Sequence, residues 1–423
     1  MEILVEYALL VGVQEQNDEH FEYEMEELKN LAEAIDVTVV GSVTQNLERR
    51  NSTHYVGKGK IQEIRRFYEE AGANLVIFND ELSPSQIRNL EQELEVKVID
   101  RTMLILDIFA RRARTHEARM QVELAQLQYS LPRLVGLRAS LSRQGGGTGG
   151  GFQNKGAGET KLELDRRKIE DQIAKLRRDL EQVKEQRETQ RKQRKRSGIP
   201  VVSIVGYTNA GKSTLLNQLL QRFNDDDTKN VYEEDMLFAT LDTSVRHLKL
   251  PDKKEFLLTD TVGFVSKLPH HLVKAFRSTL EEAKNADVLL HVVDVSNPDY
   301  PYMMQVTNET LHEIGVESVQ TINVYNKSDL AEVPYPRTSG STVWISAKEA
   351  AGLDELIDLI KKTVFGQYIT CKLLIPFERG DIVSYLNDKA NVKHTEYEEG
   401  GTLMTVEMDS SEKTKFEEYI VSH

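Results

Sequence analysis

The chain has 423 residues, with 54 Lys plus Arg against 68 Asp plus Glu, a net charge of -14 and a pI near 5.4. That length excludes a single ordinary core, at ~150 residues per domain, and the acidic balance excludes indiscriminate binding to polyanions, leaving that role to local basic stretches. A single cysteine, Cys371, excludes an internal disulfide and argues against a thiolate metal site, as in a reducing compartment.

Residues 1–13 are apolar but carry Glu2 and Glu6, lack a basic leader region and are too short to span a bilayer. The expectation is a cytoplasmic, monomeric protein without a membrane span. From residue 3 to 100, β-rich runs (3–13, 37–43, 75–78, 96–99) alternate with helical patterns (21–35, 60–71, 84–94), which predicts a small N-terminal α/β domain over 1–100. Its one nucleotide cue, Gly57-Lys58-Gly59-Lys60, lacks the downstream Ser or Thr and the long glycine spacing of a phosphate loop. It reads as a turn before a helix.

Leu106, Ala110, Ala113, Met120, Leu124, Leu127 and Leu131 form one helical stripe, and Leu162, Ile169, Ile173, Leu176, Leu180 and Val183 form a second with heptad spacing. Two long helices packed as an antiparallel hairpin follow for 101–196, with a glycine-rich tip at 143–158. The tip embeds Arg143, Gln144, Phe152, Asn154 and Lys155, and Arg166 and Arg167 lie just beyond it. Mobile backbone N–H groups with cationic and stacking side chains suit irregular RNA. A plain linker and a solvated helix face are the alternatives. A basic run, 191–196, and Ser197-Gly198-Ile199-Pro200 read as a helix end and hinge.

Next, Gly206-Tyr207-Thr208-Asn209-Ala210-Gly211-Lys212-Ser213 stands between an apolar strand, 201–205, and an apolar helix opening at Thr214. A helix N-terminus leaves N–H groups unpaired and carries partial positive charge, so a glycine-rich turn there wraps a polyphosphate. Lys212 would reach the β- and γ-phosphates, and Ser213 would ligate Mg2+. Downstream, strand 256–258 leads into Asp260-Thr261-Val262-Gly263, where Asp260 would hold the Mg2+ through water and the Gly263 N–H would meet a γ-phosphate. Thr240, in Phe238-Ala239-Thr240-Leu241-Asp242-Thr243, is the candidate for the second side-chain Mg2+ ligand, with Thr243 as the alternative.

Strand 321–324 ends in Asn326-Lys327-Ser328-Asp329. Asp329 would accept from both guanine N1–H and the exocyclic amine, donors that adenine lacks. Lys327 would lie along the base, Asn326 would tie this loop to the phosphate loop, and Ser346-Ala347-Lys348 after strand 342–345 would offer an N–H to the guanine O6. The four motifs in this order imply GTP and GDP binding, with Lys212, Thr240 and Gly263 as the catalytic candidates. The fold class is α/β multidomain: a P-loop GTPase domain with a mixed, mostly parallel sheet over 197–366, after the small α/β domain and helical hairpin. A small α+β unit follows over 367–423, with a strand at 372–376, a helix at 381–390 and a hairpin around Gly400-Gly401.

The motif order resembles that of translation-factor-class GTPases. More narrowly, Phe238-Ala239-Thr240-Leu241-Asp242, Asp260-Thr261-Val262-Gly263-Phe264 and the upstream glycine loop resemble the HflX family of ribosome-associated GTPases. The resemblance spans almost the full chain. It implies GTP hydrolysis coupled to binding of the large ribosomal subunit and its RNA, in splitting, rescue or recycling of ribosomes under stress. The stretch Gly149-Gly150-Gly151-Phe152-Gln153-Asn154 is longer than the family pattern. Asn209 matches an asparagine that ligates potassium in related GTPases, so K+ is a second cofactor candidate beside a purely structural role for that residue.

Phe264 occupies the position where many such enzymes place a water-orienting glutamine, so turnover of the isolated protein should be slow and partner-stimulated. His270 and His271 read as a surface pair. Two rival readings are a nucleotide-stabilised ribosome-binding adaptor without obligatory turnover, and ATP-dependent RNA remodelling by the N-terminal domain through Lys58 and Lys60.

Overall fold

The computed structural model describes residues 6–16, 18–144, 154–223, 238, 245–269, 272, 282–366 and 368–422, and of 134–144, 154–162, 190, 193–195, 197, 409, 411 and 422 the backbone alone. Thr240, Thr243, Phe152, His270 and His271 lie outside the described residues.

Strands β1 (Tyr7–Gln14), β2 (Thr38–Asn46), β3 (Leu75–Phe78) and β4 (Lys97–Asp100) form a parallel sheet in the order β2-β1-β3-β4. Six consecutive residues of β1 are buried, as a parallel strand covered on both faces requires. Ala8 and Leu10 face a core shared with α1 (Phe21–Glu33), α4 (Arg101–Arg112) and the start of α5 (His116–Gln144). Leu9, Val11 and Val13 face a second core under α2 (Lys58–Ala71) and α3 (Pro84–Leu94). The Gly57-Lys58-Gly59-Lys60 segment is a turn and helix start: Gly57 precedes α2 in an extended conformation, and Lys60 pairs with Glu63 at 2.8 Å.

The long stripe that began at Leu106 is split. α4 stops at Ala113, whose ψ of 108 leaves the helical region, and α5 begins at His116. The stripe residues enter different cores: Leu106 and Ala113 lie in the N-terminal core, whereas Met120 and Leu124 face α6, although Ala118, Val122, Ala125 and Tyr129 of α5 also reach the N-terminal core. The hairpin itself consists of α5 and α6 (Asn154–Ser197). Met120, Leu124, Leu127 and Leu131 meet Ile169, Ile173, Leu176, Leu180 and Val183 along the predicted seam.

The central domain has a seven-stranded sheet, β10-β11-β9-β8-β5-β7-β6. β5 (Val201–Gly206), β7 (Glu255–Asp260), β8 (Val288–Asp294), β9 (Gln320–Asn326) and β11 (Thr342–Trp344) run parallel, while the edges β6 (Val245–Lys249) and β10 (Arg337–Ser339) run antiparallel. Helices α7 (Lys212–Phe223), α8 (Tyr300–Glu313) and α9 (Leu353–Val364) pack on it. The last unit is a four-stranded antiparallel sheet of β12 (Tyr368–Ile375), β13 (Asn391–Glu398), β14 (Gly401–Asp409) and β15 (Ile420–Ser422), with α10 (Gly380–Lys389) over the core around Leu373 and Met404. Among the described residues no helix is long and apolar enough to cross a membrane.

Candidate functional site

The phosphate loop, Asp260 to Gly263, Asn326 to Asp329 and Ser346 to Lys348 lie at the carboxyl edge of the central sheet, where α/β folds place ligands. Gly206 ends β5 with φ 147, and a Cβ there would lie 2.2 Å from the Val292 carbonyl oxygen of β8. Gly211, with φ 88, begins the turn into α7, and a Cβ there would meet the Asn326 amide at 2.2 Å. Both positions therefore require glycine. Between them Tyr207, Thr208 and Ala210 are buried, while Asn209 is exposed with a left-handed φ of 59.

Asn326 joins the three nucleotide loops. Its amide donates to the Ala210 carbonyl at 2.9 Å, and its side-chain oxygen accepts from the Ala347 N–H at 2.9 Å. The predicted tie to the phosphate loop is present, and the same side chain also sets the Ser346-Ala347-Lys348 loop. Lys327, at φ 58, is held by Asp294 at 2.8 Å, and the Ser328 N–H donates to the Ile345 carbonyl at 3.1 Å. Asp329 presents a buried carboxylate oxygen, Oδ1, without a hydrogen-bond partner among the described residues. Such an atom costs about 1–3 kcal/mol until a donor arrives, which suits the guanine edge. Ser346 and Ala347 are buried and Lys348 is exposed.

Lys212 lies buried at the start of α7, with Nζ donating to the Tyr207 carbonyl at 2.6 Å. Burial lowers its pKa to about 8, against the attraction of Asp260. Asp260, at the end of β7 opposite Ile204 of β5, is fully buried, and its Oδ1 accepts from the Thr261 N–H at 3.0 Å. Burial, with Lys212 nearby, also pushes His291 of β8 down to about 4, leaving it neutral at neutral pH. Ser213 and Thr214 follow Lys212 on the first turn of α7, half-buried.

Gly263 sits against the loop: a Cβ there would come 2.9 Å from Lys212 Nζ and 2.8 Å from the Thr208 methyl. The next residue is stitched to the phosphate loop, since the Phe264 N–H donates to the Gly206 carbonyl at 3.2 Å and the Thr208 N–H donates to the Phe264 carbonyl at 2.8 Å. The Phe264 ring is turned into a core with Val205, Tyr207, Ala283 and Leu289. It is thus both chemically unable to orient water and packed away from it.

Of the hairpin residues singled out for RNA, Arg166 and Arg167 are exposed and paired along their own helix with Glu170 at 2.8 Å and Glu163 at 3.0 Å. Arg143, Gln144, Asn154 and Lys155 lie on the helix ends described by backbone alone.

Sequence reasoning missed the charged residues that join the N-terminal domain to the segment after Gly263. Arg101 is 1% exposed and bonds Glu27, Asn79 and Ser266, while Lys267 forms ion pairs with Glu24 and, at 3.0 Å, Asp80. One signal was present, a lone arginine at the head of the apolar run Thr102-Met103-Leu104-Ile105-Leu106. A strong charge in such a run needs a buried partner.

Four protein families match consecutive parts of the chain: "GTP-binding GTPase N-terminal" over 22–110, "GTP-binding GTPase Middle Region" over 112–194, "50S ribosome-binding GTPase" over 201–327 and "HflX C-terminal domain" over 336–421. The GTPase HflX of Caldanaerobacter subterraneus subsp. tengcongensis is 46% identical over 417 residues, 99% of this chain and 94% of that protein. The GTPase HflX of Escherichia coli (strain K12) is 39% identical over 404 residues, 94% and 92% of the two chains. Among solved structures, a GTP-binding protein from Sulfolobus solfataricus in complex with GDP is 25% identical, covers 86% of this chain and 99% of its own, and has a TM-score of 0.43.

Proposed function

The chain belongs to the HflX family of GTPases and hydrolyses GTP, and from that premise we propose that it is a nucleotide-controlled switch acting on the large ribosomal subunit. The observation that carries the nucleotide half is the Asn326 junction, which fixes the phosphate loop, the Asp329 loop and the Ala347 loop as one pocket edge. In this reading Gly206 to Thr214 wrap the phosphates, Asp329 selects guanine, Lys327 lies along the base and the Ala347 N–H faces O6. Ser213, Asp260 and Thr240 supply an all-oxygen donor set, the kind that suits Mg2+. When bound, that ion offsets phosphate charge. Asn209, exposed at the loop's outer bend, is the candidate contact for K+.

The chemistry left to the chain is placement and charge. Lys212 meets the negative charge of the β- and γ-phosphates, and Gly263, packed beside it, offers its N–H to the γ-phosphate alone. That contact disappears on hydrolysis, which makes the segment after Gly263 the part that changes. With the Phe264 ring packed into the core, that residue cannot orient the attacking water. We assign that role to the partner. The matched "50S ribosome-binding GTPase" region and the basic hairpin support the large subunit and its RNA as that partner, in ribosome splitting, rescue or recycling.

Purified large subunits should raise the GTPase rate at least about tenfold. A rate unchanged by any ribosomal particle would sink the proposal. Equal affinity for the large subunit in the GDP and non-hydrolysable GTP-analogue forms would favour the adaptor reading instead.

A further inference from the structure

The N-terminal domain touches the GTPase domain where the nucleotide-dependent segments emerge. Val262, Val265, Leu268 and Leu272, which flank Gly263, pack into the same core as α1 and α4 of the N-terminal domain. Phe238, the first residue of the Phe238-Ala239-Thr240 motif, enters that core as well, its ring edge-on to Phe109 at 4.6 Å and 2% exposed. Segments from two separate nucleotide motifs thus share one N-terminal receptor.

At its centre is Arg101. Its guanidinium donates to the Ser266 carbonyl at 3.2 Å, the Ser266 hydroxyl at 2.8 Å, Asn79 Oδ1 at 3.0 Å and the Glu24 carbonyl at 3.4 Å, and pairs with Glu27. Glu27 in turn accepts from the Ser266 hydroxyl and backbone N–H. Burial opposes the Arg101 charge, but the combined attraction of Glu27, Tyr207, Glu24 and Asp80 outweighs it and the group stays cationic. The phosphate loop enters the same cluster: burial and then the Glu27 charge raise the Tyr207 phenol well above its ordinary range. Beside Ser266, Lys267 joins Glu24 and Asp80, and the Tyr302 hydroxyl donates to Glu24 at 3.1 Å.

A planar five-donor cation that satisfies its partners from fixed directions has few alternative arrangements. Ser266 is three residues beyond Gly263 and two beyond Phe264, and Phe264 is stitched to the phosphate loop. With the Thr261 hydroxyl donating to the Ile204 carbonyl at 2.7 Å on one side, and Phe264 and Ser266 held on the other, Gly263 has little freedom.

We propose that Arg101 is a positioning residue for GTP hydrolysis, holding Ser266 so that Gly263 stays aligned on the γ-phosphate and so that nucleotide state is felt in α4 of the N-terminal domain. The inference rests on Gly263 being the γ-phosphate contact. GDP lacks that phosphate, so its affinity is independent of Arg101.

The test uses the full chain with Ser266→Ala, which removes the shared hydroxyl, and Arg101→Lys, which keeps a charge and loses the fork. Both should lower kcat for GTP and the preference for a GTP analogue over GDP by at least about fivefold, with GDP affinity unchanged. In the unaltered protein, hydrogen exchange of amides 101–109 should be slower with the analogue than with GDP, and Ser266→Ala should erase that difference. Should Arg101→Lys fail to fold, Ser266→Ala on the GTPase side carries the test. Unchanged kcat and preference, a parallel loss of GDP affinity, or a faster enzyme would each overturn the proposal. GTP turnover surviving Lys212→Ala would instead refute the site reading, whatever Arg101 does.

Discussion

The carboxyl edges of the two parallel sheets are built from opposite materials. In the GTPase domain the edge collects glycines at Gly206 and Gly211, loop N–H groups and one buried lysine, and Asp329 Oδ1 is a buried acceptor there without a hydrogen-bond partner among the described residues. In the N-terminal domain the edge collects Asn79, Asp80, Asp100 and Arg101 at the ends of β3 and β4, and Lys267 of the GTPase domain fills it by pairing with Asp80 and Glu24. One edge presents polar groups suited to a ligand; the other satisfies Asp100 and Asn79 internally and turns Arg101 and Asp80 also to the neighbouring domain, through Ser266 and Lys267. Similar topology therefore carries different functions, decided by side chains.

Removing the guanine-reading carboxylate from the first edge should give the largest effect. Asp329→Ala removes the acceptor for two guanine donors, so GTP affinity should fall by about 3 kcal/mol, measured by fluorescent-nucleotide displacement; ATP affinity should not fall with it. A smaller effect comes from the glycines. Gly211→Ala places a methyl against Asn326 at a positive φ and should lower GTP affinity by about 2 kcal/mol. Gly59→Ala in the Gly57-Lys58-Gly59-Lys60 turn meets nothing within 4 Å and should leave GTP turnover unchanged while raising stability by up to about 1 kcal/mol. If the two alanines behave alike, the distinction between the edges is wrong.

The mildest perturbation is pH. Because burial lowers Lys212 to about 8 in the nucleotide-free protein, and bound phosphates favour its charged form, binding above pH ~8 must take up a proton. GDP affinity should be insensitive to this group below pH ~8 and fall by up to about tenfold per pH unit above it. Calorimetric titration at pH ~9 in two buffers of different ionisation enthalpy reads the proton directly, and no uptake would contradict the assignment.

The same contrast explains what was legible beforehand. The phosphate loop, Asp260 to Gly263, and Asn326 to Asp329 are local strings with local geometry, and the structure brings their described residues to one edge. Strand β3 at Leu75–Phe78, helix α3 at Pro84–Leu94 and the α5–α6 seam were readable because each is a short apolar run, a capped helix or a heptad repeat. The break at Ala113 was not, since Leu106 and Met120 keep one period across two helices while entering different cores. Arg101, Glu27 and Ser266 were illegible for a related reason. Glu27 and Ser266 are 239 residues apart, and no spacing rule reaches across domains.

Steady-state hydrolysis of GTP and ATP by the unaltered chain, Lys212→Ala and Lys58→Ala decides most directly whether nucleotide chemistry belongs to the GTPase edge alone. The account predicts GTP turnover that Lys212→Ala reduces by about 10²-fold or more and Lys58→Ala leaves intact. ATP turnover that survives Lys212→Ala and is lost in Lys58→Ala would contradict it.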